Sequence, residues 1–138
     1  MHDLSNNVKL ASVLAPVSPS ATGTESGTVV DRAGYNSVTF VIHNGAVTST
    51  GFSLTPIVKS GSATGSLSAV ADADLIGTEA GATISGGASD GQIAKIGYIG
   101  NDRYVTVDLV VAGTATGVHS AAAILGAPIN APQSTQVV

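Results

Sequence analysis

Serine, histidine and closely spaced carboxylates are the side chains in this sequence that could carry chemistry, and each occurs in a pattern that can be held against its mechanism. Gly87-Ala88-Ser89-Asp90-Gly91 has the G-x-S-x-G spacing of a nucleophile elbow, where a strained strand-to-helix turn lifts the serine above a parallel sheet. The residues after Gly91 read as a strand, and 138 residues are too few for that hydrolase architecture. The motif is therefore read as a flexible glycine loop. His43 and His119 are the candidates for a general base, which must reach its proton within hydrogen-bonding distance. Neither stands in a recognisable constellation, so both are expected at strand ends or on the surface. Asp72, Asp74 and Gly77 match positions one, three and six of a calcium loop. Position five is Ile76 and position twelve is Thr83, so two oxygen ligands fail, the bidentate carboxylate among them. His2, His43 and His119 are scattered singly, without metal-ligand spacing. No catalytic residue, metal site or cofactor is predicted.

Composition narrows the function classes further. The chain has no cysteine, which removes disulfides, thiol nucleophiles and thiolate metal sites. Five Lys and Arg against nine Asp and Glu give a net charge of -4, the wrong sign for a protein that neutralises phosphates. No phosphate-binding glycine motif occurs, and the aromatics Tyr35, Phe40, Phe52, Tyr98 and Tyr104 are dispersed without basic clusters. They read as core and interface anchors rather than as a base-stacking platform. Mean hydropathy is high, at +0.37, yet no run of about 18 apolar residues exists to cross a bilayer as a helix. Asp3 precedes Lys9, and Pro16 interrupts the apolar stretch from Leu10, a pattern unlike a secretory signal. Charged residues make up only 10% of the chain, so Ser, Thr, Gly and Ala must form most of its surface.

The elements that would position these residues are strands. Ser37–His43 and Phe52–Lys59 alternate and are rich in β-branched and aromatic residues, the first ending at the turn dipeptide Asn44-Gly45. Pro56 suggests an edge or bulge position in the second. Shorter candidates are Asn6–Leu14, Thr28–Asp31, Leu67–Val70, Asp74–Ile76 and Val118–Gly126, and no segment has helical periodicity. In IAKIGYIGNDRYVTVDLVV two runs flank Asn101-Asp102, which tolerate the positive φ of a tight turn. Pairing Gly100 with Arg103 sets Tyr98 against Val105, Ile96 against Val107 and Ala94 against Leu109. The same register sets Lys95 against Asp108 on the other face, which predicts a hairpin. Ser60–Ser66 and Gly77–Gly91 are rich in small residues and read as loops. The expectation is an all-β, small antiparallel β-sandwich or barrel over residues 21–126. Residues 1–20 form an N-terminal arm or first strand, and 127–138 an extended C-terminal tail.

Five stretches, MHDLSNNVKLASVLAP, AGYNSVTFVIHNGA, ADADLIGT, IGYIGNDRYVTVDLVV and AAAILGAPINAP, together resemble a group of small proteins encoded beside the major capsid protein in tailed bacteriophages and prophages. That group is similar to the head decoration, or cement, proteins. The resemblance spans nearly the whole chain, and it departs from the group in a longer, more glycine-rich loop from Thr78 to Gln92. It implies a β-rich structural subunit, made in the bacterial cytoplasm and bound to the capsid exterior in the virion. Its implied partner is the major capsid protein and its implied state a homotrimer, with no enzyme activity and no direct nucleic-acid or membrane partner. An extended arm could add a strand to a sheet edge of the shell, with Leu4, Val8, Leu10 and Val13 as apolar capsid contacts. The same segment is equally an ordinary first strand. Other classes that fit the composition are a tail-tube or head-completion subunit and a secreted β-sandwich adhesion module.

Overall fold

The computed structural model describes residues 3–18, 22–47, 51–86, 91–113 and 117–133. In chain order the strands are β1 (Val8–Val17), β2 (Gly23–Glu25), β3 (Val30–Asp31), β4 (Tyr35–Asn44), β5 (Ser53–Ala63), β6 (Ser66–Ala69), β7 (Leu75–Ile76), β8 (Ile84–Ser85), β9 (Ile93–Tyr98), β10 (Tyr104–Ala112) and β11 (His119–Pro128). Single 3₁₀ turns at Ser5–Asn7 and Asp72–Asp74 precede β1 and β7. The strands form two antiparallel sheets. Sheet A runs β1-β11-β4-β9-β7, and sheet B runs β2-β10-β5-β6, with β3 also on β10 and β8 on β5.

Alternation produces the core. From sheet A, Val13, Ala121, Ala123, Leu125, Val38, Phe40, Ile42, Ile96 and Tyr98 point inward. Leu54, Val58, Val105, Val107, Leu109 and Val111 meet them from sheet B. Such complementary faces make a sandwich, and each fully buried aliphatic or aromatic side chain contributes about 1.5–3 kcal/mol.

The expected Asn101-Asp102 hairpin does not form. β9 pairs with β4 and β7 in sheet A, whereas β10 pairs with β2, β3 and β5 in sheet B. Lys95 lies opposite Val41, and Asp108 lies opposite Ile57. The connection is an arch between sheets. The Tyr98 hydroxyl accepts the Asp102 N–H at 3.0 Å, and Arg32 donates to the Asp102 and Gly100 carbonyls at 2.6 and 2.7 Å. A side chain at Gly100 would stand 2.5 Å from the Tyr98 hydroxyl, so the arch needs glycine there. Alternation cannot separate the two arrangements, because a hairpin and an arch send the same residues toward the core.

Three further segments refine the sequence reading. Ser60–Ser66 is no loop, since β5 runs to Ala63 and turns into β6. Its glycine has a packing reason, because a Cβ on Gly61 would lie 2.1 Å from the Ser66 carbonyl oxygen. Pro56 does hold an edge position, though inside a sheet: β10 borders it on one side, and on the other β8 pairs only with residues 53–54 and β6 only from residue 59. Val58, two residues on, donates across that gap to Glu79 Oε1 at 2.9 Å. At the C-terminus, β11 continues to Pro128, Ile129 N–H donates to the Gly34 carbonyl, and Gln133 meets the Asn6 carbonyl and the Tyr35 hydroxyl. Residues 127–133 therefore fold back on the N-terminal end of the sandwich.

A candidate interaction surface on sheet A

Val8–Val17 is a strand of the sandwich itself, at the edge of sheet A and paired only with β11. Of the four residues singled out as capsid contacts, Val13 is 1% exposed and belongs to the core. Its alternation places it there: Ala11 and Val13 share the inward side of β1, whereas Val8 and Leu10 share the outward side. Leu4 is exposed, Leu10 is 45% exposed, and Val8 is partly covered.

Leu10 begins a row that crosses all five strands, through Ile124, Thr39 and Gly97 to Ile76. The next row is Ser12, Ala122, Val41 and Lys95, and a third contains Ser120, His43 and Ile93. Ile76 and Ile93 are 63% and 68% exposed. Gly97 lets Ile76 lie low across the sheet, since even a Cβ there would come within 3.1 Å of the isoleucine. Shallow hollows mark this face, one bounded by Leu4, Val8 and Ile124, one by Leu10, Leu14 and Ala122, and one by Thr39, Ile76 and Lys95. The five strands of sheet A contain no Asp or Glu. Sequence reading found the β1 end of this surface and missed Val41, Ile76, Ile93 and Ile124. The signal that could have found them lay in single apolar residues at the outward parity, Val41 in β4, Ile93 in β9 and Ile124 in β11, with Ile76 in β7.

On the outer side of sheet B, where residues 53, 55, 57 and 59 of β5 are half-buried, Lys59 and Asp108 are paired. Lys59 Nζ meets Asp108 Oδ2 at 2.6 Å, with the Asp108 side chain 6% exposed. Asp108 Oδ1 accepts the Gly27 N–H at 3.0 Å, and the Thr106 hydroxyl donates to the Thr28 carbonyl. Thr28 N–H reaches the Val13 carbonyl of β1 at 2.7 Å, so Ser26–Val29 closes one side of the sandwich. Asp102 accepts from the Ser60 hydroxyl at 2.7 Å, while Asn101 is exposed on the arch. On the surface, hydrogen bonds from Arg103 hold the Asp31 carboxyl down at about 2.

The residues with chemical potential do not converge. His43 is exposed on β4, whereas His119 is 2% exposed at the start of β11, a strand end as expected but buried. Its Nε2 has no hydrogen-bond partner, and burial pushes its pKa below the usual 6.5 against a smaller opposing pull from Glu25. Asp72 and Asp74 form the turn before β7, and among the described residues no group of three or more His, Asp or Glu could hold a metal. Residues 87–90 of the serine motif lie outside the described residues. No protein-family model matches the chain, and no curated protein matches it.

Proposed function

We propose that this chain is a structural virion protein that binds the outer surface of a tailed-phage capsid and stabilises the shell. The single observation that carries the reading is the outer face of sheet A, which sets Leu10, Ile124, Val41, Ile76 and Ile93 among small polar residues across five strands that hold no Asp or Glu. Exposed apolar side chains gathered on one sheet face suit a partner's surface. The resemblance to decoration proteins supplies the identity of that partner, the major capsid protein. Cement activity needs no reactive group: a subunit that binds only the assembled lattice stabilises it by mass action. Copies grouped as trimers would add their individually weak contacts through high effective concentration.

The test is to mix the purified chain with mature capsids that lack it, pellet the particles, count bound copies and record capsid melting. Saturable binding with a raised capsid melting temperature is expected. Leu10→Asp and Ile124→Asp should abolish binding while each purified variant remains folded. Absence of binding by the wild type would refute the reading and favour a tail subunit or an adhesion module.

A further inference from the structure

We propose that the surface bound by sheet A presents a carboxylate to Lys95, so that this face docks on an apolar, acid-bearing protein surface rather than on a second copy of itself. The inference rests on the capsid-binding reading and names the partner chemistry of that same site.

The cations of this chain are otherwise engaged. Lys59 is closed on Asp108, Arg103 on Asp31, and Arg32 on two carbonyls of the arch with its guanidinium 5.3 Å from the Tyr98 ring centre. Lys9 lies within electrostatic reach of Asp31. Among the described residues only Lys9 and Lys95 form neither a side-chain hydrogen bond nor an ion pair, and of the two it is Lys95 that faces outward in the middle of sheet A. It stands exposed beside Val41 and shares a hollow with Ile76 and Thr39. Covering this face strips water from the ammonium group, which is costly unless an opposite charge or acceptor meets it. The strands of sheet A do not supply that charge, because they hold no acid. A two-fold contact of the face with itself would gather two copies of Lys95 and of His43 and no carboxylate from the strands, the nearest acids, Asp3 and Asp74, lying at its margins. A partner patch that is apolar with an acid opposite Lys95 satisfies both requirements, and fixes register as well as attraction.

The experiment measures capsid binding of the wild type, Lys95→Glu and Lys95→Met at low and high salt, with self-association followed by sedimentation. Lys95 is exposed, so thermal melting should show all three chains equally folded. Lys95→Glu should weaken binding by at least about tenfold. Lys95→Met should weaken it less and flatten its salt dependence, because screening acts on the charge it removes. Wild-type affinity and salt response in both variants would overturn this inference and leave the capsid reading standing. Wild-type self-association abolished by Leu10→Asp, with capsid binding intact, would assign the face to a second copy and also overturn it. No capsid binding by the wild type would overturn both readings.

Discussion

Replacing Asp108 by alanine should be the most damaging single polar change outside the apolar core. Its carboxylate is 6% exposed and joins three pieces of chain: β10, which carries it, the Ser26–Val29 segment through Gly27, and β5 through Lys59. Removing one partner of a fully buried ion pair costs about 3–5 kcal/mol. Lys59 retains 37% of its side-chain exposure and recovers water when Asp108 is lost, which lowers that figure. The half-buried Gly27 N–H also loses its acceptor, toward the lower end of the about 1–3 kcal/mol that an unsatisfied buried donor costs. The sum for Asp108→Ala is about 2–4 kcal/mol, or roughly 10 °C in melting temperature for a domain of this size. Asp108→Asn keeps an acceptor for Gly27 and loses only the charge, so it should cost about 1–2 kcal/mol. Lys59→Met should cost more than Asp108→Asn, because it leaves a buried carboxylate with one donor. Combined with Asp108→Asn it should be partly rescued, with a coupling of about 1 kcal/mol. Urea denaturation of the four variants reads all of these values. An unchanged midpoint for Asp108→Ala, or additive effects in the double variant, would refute this account of how the sandwich is closed.

The geometry sets three further outcomes. His119 is neutral in the folded core, and its folded pKa lies below the usual 6.5, so the unfolded chain takes up its proton first as pH falls. Stability should decline from about pH 6.5 downward and be flat above it, and His119→Gln should remove the decline in urea midpoints between pH 7.5 and 5; Asp31, at about 2, titrates below that window. Gly27→Ala would place a Cβ 2.2 Å from the Val107 carbonyl oxygen and 2.7 Å from Val13 Cγ1, whereas Gly23 has nothing within 4 Å. Thermal melting should therefore show Gly27→Ala severely destabilised and Gly23→Ala close to wild type. Deleting residues 1–15 removes most of β1 and the core residue Val13, so it should unfold the chain, while deleting residues 1–4 should leave the far-ultraviolet spectrum of a β protein intact.

Local pattern made most of the strands legible. Ser37–His43, Phe52–Lys59 and Val118–Gly126 fall within β4, β5 and β11, apart from Phe52 and Val118 at their starts. Glycine was the misleading residue. Ser60–Ser66 has the composition of a flexible loop, yet Gly61 is there because the hairpin brings Ser66 against it. Thr28–Asp31 and Asp74–Ile76 contain the two-residue strands β3 and β7, whereas β8 and the three-residue β2 owe their pairing to long neighbours rather than to their own composition. The candidate face was legible only where β1 displays it, because the remaining apolar residues come from strands distant in sequence that register alone brings into line.

The failed hairpin and the proposed docking chemistry have one cause. Lys95 and Asp108 have opposite charges at a plausible hairpin spacing, and on a single sheet each would satisfy the other. The arch puts them in different sheets, where Asp108 instead closes on Lys59 at 2.6 Å. An acid has thereby been taken up by sheet B while a lysine is left on an apolar face of sheet A with no acid on its five strands. Low charge content makes this imbalance conspicuous, since among the few cations Lys59 and Arg103 can be traced to ion pairs and Arg32 to two carbonyls. A lysine with no partner among the described residues costs nothing in water and becomes costly only when the face is covered. Lys95 therefore discriminates between covering surfaces: it penalises an uncharged patch or a second copy of this face, and it favours one that brings its own carboxylate.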